Sequence, residues 1–498
     1  MTPHASQTLA LAALTLSDTG CFSANRPSAS VWAQRELDDP ATRWVAAMDT
    51  LRVPGMAIAI VGPDGPLFMQ GFGFRNVEGT LPVTPETQFY IASATKPFVA
   101  LATVLLAHEG AVHLNRPVRT YLPAFRLANF TESITITLRD LLAHRRGLQD
   151  HPITFGEAFT GRMTEERFYR LLKNVRAVGE LDYANLHYTL LGRVIDSVSG
   201  HSWKAELQTD IFGPAGMRRT TTSAAPLQAP GNVATPYELV GGRLESTRVK
   251  TDRTMHAAGG MLSTATDLAR WVQIQLTGGR IDGQQVFPAE VIAEMQEPQI
   301  FEADSSPFVP EHKRIGWGLG WELREDRGSR LVYHGGSYEG WIAHMSFMPD
   351  IHTGVVILAN TGGNVRVVAD IIAFDIYDRL RDLEPRNILP AIVAAIASQR
   401  RADAANSASH SGSPRALLDD YVGTYHNDDW GTLDIRLEGD ELRARIGDLD
   451  LPLVWLGPDS FTADQYHKGQ VQRSSSGQVR SVLLSELLDE GLVEFTRR

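Results

Sequence analysis

A single cysteine, Cys21, stands in 498 residues, which excludes an intrachain disulfide and a thiolate metal cluster. Lysine is nearly as scarce, confined to Lys96, Lys173, Lys204, Lys250, Lys313 and Lys468. With a formal net charge of -11, the chain lacks the clustered cations of a nucleic-acid surface and is ill suited to anionic lipid. No apolar run approaches the roughly 18 residues needed to span a bilayer. The apolar stretch Leu9 to Leu16 has no Lys or Arg near it before Arg26, so the positive region of a secretory signal is missing. Asp18-Thr19-Gly20 before Cys21 is a poor context for a lipoprotein anchor. The expectation is a soluble protein, cytoplasmic more readily than exported, with export left open.

What is present is ordinary globular composition, 43% hydrophobic and 21% charged. The length exceeds what one core supports, so one large domain and at least one smaller are expected. Residues 1–40 read as a polar, Ser- and Ala-rich tail. From Pro40 a helical pattern (Trp44, Val45, Met48, Leu51) leads to the apolar strand Met56 to Val61, a Gly62-Pro63-Asp64-Gly65 turn and a returning strand. Thr135–Leu142 leads into His144–Leu148, read as a helix ended by Gly147, and the region from there to about residue 300 reads as helices and loops. Short β-branched and aromatic runs then return at Trp317–Trp321, Leu331–His334, Ile342–Met348 and Gly354–Ala359, before a helix over Asn364–Leu380. The main domain, 41–384, is therefore expected to be α+β, its sheet drawn from both ends around a helical insertion. Residues 385–415 read as a linker with a short apolar helix, and 416–498 alternate as a small antiparallel β-barrel, with Leu433, Ile435 and Leu437 on one strand face, Leu442, Ala444 and Ile446 on the next, and a further strand at Leu451–Leu456.

The chemistry is expected at Ser93-Ala94-Thr95-Lys96, where a helix carrying Phe98, Leu101 and Leu105 begins. Residues three apart share a helical face, so Lys96 can reach the Ser93 hydroxyl. A serine needs a base, and lysine serves only when neutral. With an ordinary pKa of about 10.4, the fold must bury Lys96. Two further motifs join it. Tyr183-Ala184-Asn185 precedes a helix and supplies a phenol to relay the proton and an amide to hold Lys96 and bind a substrate carbonyl. His334-Gly335-Gly336-Ser337 ends a strand, where two glycines let backbone approach a ligand and the Ser337 N–H pairs with that of Ser93 as an oxyanion hole.

Two rival patterns fail. His108-Glu109-Gly110-Ala111-Val112-His113 is one residue too long for H-E-x-x-H, and no metal site is expected. Gly335-Gly336-Ser337-Tyr338-Glu339 lacks the last glycine of a nucleophile elbow.

In order and spacing, S-x-x-K, Y-x-N and H-x-G resemble the signature of the penicillin-binding-protein and class C β-lactamase superfamily, over roughly residues 40–383. Leu141–Leu148, Ala258–Ala269 and Gly318–Trp321 resemble supporting stretches of that family. The resemblance implies an antiparallel sheet covered by helices beside a helical subdomain, with Ser93 at their junction. Ser93 would be the acylated nucleophile, Lys96 and Tyr183 the base pair, and Asn185 a contact to Lys96 and substrate. His334 stands where many β-lactamases and carboxypeptidases carry lysine. This departure is similar to D-aminopeptidases and some esterases of the superfamily, several with C-terminal (lipocalin-like) barrels. The implied activity is amide cleavage in small peptides containing D-residues. Alternatives are a carboxylesterase or acyltransferase, a β-lactamase or DD-carboxypeptidase, and a non-catalytic binding protein. The implied partner is a small-molecule or short-peptide substrate, with no cofactor, and homo-oligomerisation is left open.

Overall fold

The computed structural model describes residues 41–498 apart from 150, 230, 306–308, 310, 410, 411, 464–466 and 486–490. The expected tail, with Cys21 and Leu9–Leu16, lies outside the described residues.

The main sheet has nine antiparallel strands in the spatial order Ile300–Ser305, His312–Trp317, Glu322–Asp326, Ser329–Tyr338, Trp341–Met348, Thr353–Ala359, Gly55–Gly62, Gly65–Asn76 and Leu81–Pro82. The first strand in the chain, Gly55–Gly62, pairs with Thr353–Ala359, Ile58 opposite Ile357, so the two ends of the domain meet in its centre. Every residue of Gly55–Gly62, Trp341–Met348 and Thr353–Ala359 is buried. Helices covering both faces explain why these strands read as continuous apolar runs. Side chains alternate between two cores. Ala57, Ala59, Val356, Leu358 and Met345 enter one with the helices Lys96–His108 and Ala265–Leu276. Met56, Ile58, Ile60, Val355 and Ile357 enter the other, under the helices 41–51, Val365–Leu380 and Leu389–Ser409. Within residues 385–415, Val393 and Ile396 of that last helix pack into this core.

Three sequence expectations are corrected. Helix Leu138–Leu142, closed at its start by a Thr137/Asp140 capping box, stops before His144, and Arg145–Leu148 is a strand paired with Ala177–Leu181. His144 and Arg146 have positive φ, which no helix accommodates, and a Cβ on Gly147 would lie 2.2 Å from Asp182 Cβ. Gly147 thus permits close strand pairing and ends no helix. Residues 318–321 join two strands and are not one themselves: Gly320, φ +81, lets the turn rest on helix Lys96–His108, where a Cβ would meet Ala100 Cβ at 2.6 Å. Leu451–Leu456 divides at Leu453 into Leu449–Pro452 and Val454–Gly457.

That division closes the C-terminal sheet. Its nine antiparallel strands run from Leu449–Pro452 at one edge to Val454–Gly457 at the other, so one residue brings both edges together in a nearly closed barrel. Leu433, Ile435, Leu442, Ala444, Val482 and Phe495 fill it. Phe155, from helix His151–Ala158 of the main domain, enters the same core beside Trp430, ring centroids 5.1 Å apart.

Candidate active site

The strand Phe89–Tyr90 pairs with Leu262–Ser263 and delivers the chain to a 3₁₀ turn, Ala92–Thr95, which runs into helix Lys96–His108. Pro97 suits the first helical turn, where no N–H is missed. Ala92 has φ 45, a conformation that costs a non-glycine residue on the order of 1–3 kcal/mol and that clusters at functional sites. The bend makes Ser93 the one residue between Thr87 and Val104 that is not buried.

Lys96 is 0% exposed, as the sequence argument required. Its Nζ lies 3.1 Å from Ser93 Oγ, 2.9 Å from Asn185 Oδ1 and 2.8 Å from the Ala258 carbonyl oxygen. Asn185 opens helix Asn185–Ser199, and the Tyr183 ring two residues earlier lies with its centroid 4.6 Å from the same Nζ. The structure therefore brings Ser93, Lys96, Tyr183 and Asn185 together.

The third motif comes from the sheet. Pairing of Ser329–Tyr338 with Glu322–Asp326 ends at Tyr333, and Gly336 runs against the Ser93 turn. His334 is buried beside Tyr183 and Trp317, with ring centroids at 6.4 and 6.3 Å. Its Nδ1–H donates to the Gly335 carbonyl at 2.8 Å, and its Nε2 has no partner among the described residues. Burial, reinforced by Lys96, pushes His334 down to about 3. Gly335 and Gly336 carry no side chain into the cleft, and Ser337 is exposed on the strand.

Largely buried residues to which the sequence reading gave no role pack around these groups. His144 stacks on Tyr183, centroids 4.5 Å apart, and its Nδ1 lies 3.0 Å from His187 Nδ1. His187 Nε2–H donates to the Arg146 carbonyl at 3.1 Å. Burial lowers His187 to about 4 and His144 well below the usual imidazole value. His256 lies near Ala92 and Tyr90: a Cβ on Gly259 would touch His256 Nε2, the Ala92 carbonyl carbon and the Tyr90 hydroxyl at 3.3–3.5 Å. Burial, followed by Lys250 and Lys96, also holds His256 well below the ordinary value. These imidazoles are neutral at pH 7. Lys250 is buried 3.5 Å above the Tyr338 ring, with Phe159 and Tyr90 around it. Lysine scarcity was a signal for Lys250, whereas nothing local distinguished His256.

A second constellation has triad distances without access. His344 Nδ1 lies 2.7 Å from Asp370 Oδ1 and Nε2 2.7 Å from Ser346 Oγ. Ser346 is 0% exposed, and its hydroxyl also meets Tyr377 at 2.9 Å. No substrate reaches it, and it ties the sheet to helix Val365–Leu380.

Comparison with known proteins supplies the family. The chain is similar to protein flp of Staphylococcus aureus (strain MW2), 27% identical over 319 residues, 62% of this chain and 60% of that protein. It is also similar to unguisins hydrolase ungD' of Aspergillus campestris, 25% identical over 68% of this chain and 64% of that one. The matches thus take in somewhat under two thirds of these relatives' length. In structure it resembles the octameric penicillin-binding protein homologue from Pyrococcus abyssi, with TM-score 0.60 and 24% identity over 93% of this chain and 99% of that one. The penicillin-binding protein from Bacillus halodurans matches with TM-score 0.54 and 22% identity over 66% and 98%. The Beta-lactamase family model matches residues 41–376, more than half of the chain, and the protein is therefore a member of the Beta-lactamase family.

Proposed function

We propose that the chain hydrolyses amide bonds of small peptides or amides containing D-residues, through an acyl-enzyme on Ser93. One observation carries the mechanism: the buried Lys96 Nζ lies 3.1 Å from Ser93 Oγ, held there by donating to the Asn185 Oδ1 and Ala258 carbonyl oxygens. In its neutral form the amine donates its two N–H bonds to these carbonyls and offers its lone pair to the Ser93 hydroxyl. Oγ attacks the substrate carbonyl carbon as its proton passes to Nζ. The tetrahedral oxyanion is received by the Ser93 and Ser337 N–H groups. On collapse the C–N bond breaks, and the leaving amine takes the proton through Tyr183. Water, deprotonated by the same pair, then releases the acid and frees Ser93.

The substrate class rests on His334. A neutral imidazole in place of lysine leaves the third motif without a cation for a substrate carboxylate, which favours amides lacking a free C-terminal carboxylate over β-lactams and carboxypeptidase substrates. An esterase is the second reading, favoured by the exposed Tyr183 ring backed by Trp317, ring centroids 5.8 Å apart. The test compares kcat/KM for D-alanyl p-nitroanilide and p-nitrophenyl butyrate, with Ser93→Ala as blank. A ratio overwhelmingly favouring the ester selects the esterase, and no turnover or covalent labelling of Ser93 selects a binding protein. Self-association, as in the octameric homologue, is open to test by light scattering.

A further inference from the structure

Between the end of the strand Ser329–Tyr338 and the Ser93 turn, residues 247–260 cross one wall of the cleft, and the C-terminal barrel holds them at one point. The Thr247 hydroxyl and the Arg248 guanidinium donate to Glu339, and Lys250 Nζ donates to the Ala158 carbonyl. The next residue meets the barrel: Thr251 Oγ1 donates to Asp448 Oδ2 at 2.7 Å, and Arg253 Nε donates to the same oxygen at 3.1 Å, with its Nη2 on Oδ1. Asp448 is itself fixed, because its N–H donates to the Thr160 carbonyl at 2.9 Å. Gly447 beside it packs so closely that a Cβ would lie 2.3 Å from the same carbonyl oxygen.

From Thr251 a series of turns leads to the base. Thr254 N–H and Met255 N–H donate to the Thr251 carbonyl at 2.9 and 3.2 Å, and Gly259 N–H donates to that of His256 at 3.0 Å. The Ala258 carbonyl, inside that last turn, accepts from Lys96 Nζ at 2.8 Å. Met261 then accepts from Ile91 N–H at 3.0 Å, two residues before Ser93. Each bond is local and directional, so a displacement at Thr251 passes along the turns to the carbonyl that orients Lys96.

We propose that Asp448, in the barrel, is a positioning residue for the active site: by holding Thr251 and Arg253 it sets the Ala258 carbonyl that aims Lys96 at Ser93. This rests on the proposed role of Lys96 as base. The barrel makes a second polar contact that touches none of this. Arg170 donates to Asp429 Oδ1 at 2.9 Å and to the Asp428 carbonyl at 2.8 Å, from helix Glu165–Leu172. Simple docking would make the two contacts equivalent, whereas positioning makes them different.

The test uses full-length wild type, Asp448→Asn, Thr251→Val, Arg170→Ala and Ser93→Ala, with two readouts. The first is labelling of Ser93 by a fluorophosphonate probe, resolved into its first-order rate and the probe concentration at half saturation. The second is amide hydrogen exchange over residues 254–260. Asp448→Asn and Thr251→Val are expected to slow the first-order rate by about tenfold or more, since an ångström of misplacement costs up to about 10²-fold, with half-saturation unchanged and exchange faster. Arg170→Ala is expected to match wild type in both. Unchanged exchange over 254–260 in Asp448→Asn and Thr251→Val overturns the clamp, as does Arg170→Ala slowing labelling equally. Should Asp448→Asn fail to fold, Thr251→Val carries the test. Wild-type labelling no different from Ser93→Ala, with faster exchange in the clamp variants, would instead remove the hydrolase reading and leave the clamp as a structural tie without a catalytic role.

Discussion

Gly336 passes so close to Ile91 that a Cβ at position 336 would lie 1.9 Å from the Ile91 carbonyl oxygen and 3.0 Å from the Ala94 nitrogen. The strand and the Ser93 turn are therefore set by direct backbone contact, and the next N–H along the strand is that of Ser337, the proposed oxyanion donor. Gly336→Ala must push the two apart, taking one oxyanion donor out of reach. The expected loss in kcat is about 10²–10³-fold. Thermal unfolding is expected to show destabilisation of about 1–3 kcal/mol, the usual range for overpacking. A variant with wild-type kcat would show that the Ser337 N–H takes no part.

Ser93→Ala is expected to abolish turnover and any burst of acyl-enzyme. Lys96→Ala and Tyr183→Phe should each lose several orders of magnitude in kcat/KM. The double variant should be little worse than either, because residues acting as one unit are grossly non-additive. Additive losses would separate the two roles, and near-normal kcat in Lys96→Ala would remove the base assignment.

Much of this was legible in sequence because the decisive signals are local. Ser93 and Lys96 lie within one turn, and the burial demanded of Lys96 follows from elementary acid–base chemistry. The alternating strands at Leu433–Leu437 and Leu442–Ile446 needed only a period of two. What stayed hidden depends on distant approach. Gly147 read as a helix end because nothing nearby announces Asp182, and Gly320 read as part of a strand because Ala100 lies far back in the chain. His256 has no motif of its own; its place near Ala92 and Tyr90 comes from tertiary turns.

Acid should unfold the protein through its buried histidines. His187 falls from 6.5 to about 4 and His334 to about 3, both chiefly by burial. Between the unfolded value and these folded values the unfolded chain binds more protons. The contribution of these histidines is thus complete above about pH 6.5 and is lost as pH falls towards 3. His187 alone contributes on the order of 3 kcal/mol to that loss. Urea unfolding at pH 7, 5.5 and 4.5 should show it, and His187→Asn should flatten the slope. An unchanged slope would mean that His187 is charged in the fold.

Lys250 gives the complementary window on the alkaline side. Burial lowers it from 10.5 to about 7, with Glu339 acting in the opposite direction. The unfolded chain therefore binds more protons between pH 7 and 10.5. Across that interval Lys250 makes stability rise with pH, and its full penalty is present below about pH 7. The Tyr338 ring, 3.5 Å from Nζ, favours the ammonium and reduces the penalty, by about 2 kcal/mol for a desolvated cation–π contact. Lys250→Met keeps the length of the side chain and removes the charge. It is expected to stabilise the protein at pH 7, to leave it nearly unchanged at pH 10.5, and to flatten the rise between them in denaturant titrations. Equal destabilisation at both pH values would show instead that the Lys250 bond to the Ala158 carbonyl and its contact with Tyr338 outweigh the cost of burying the amine.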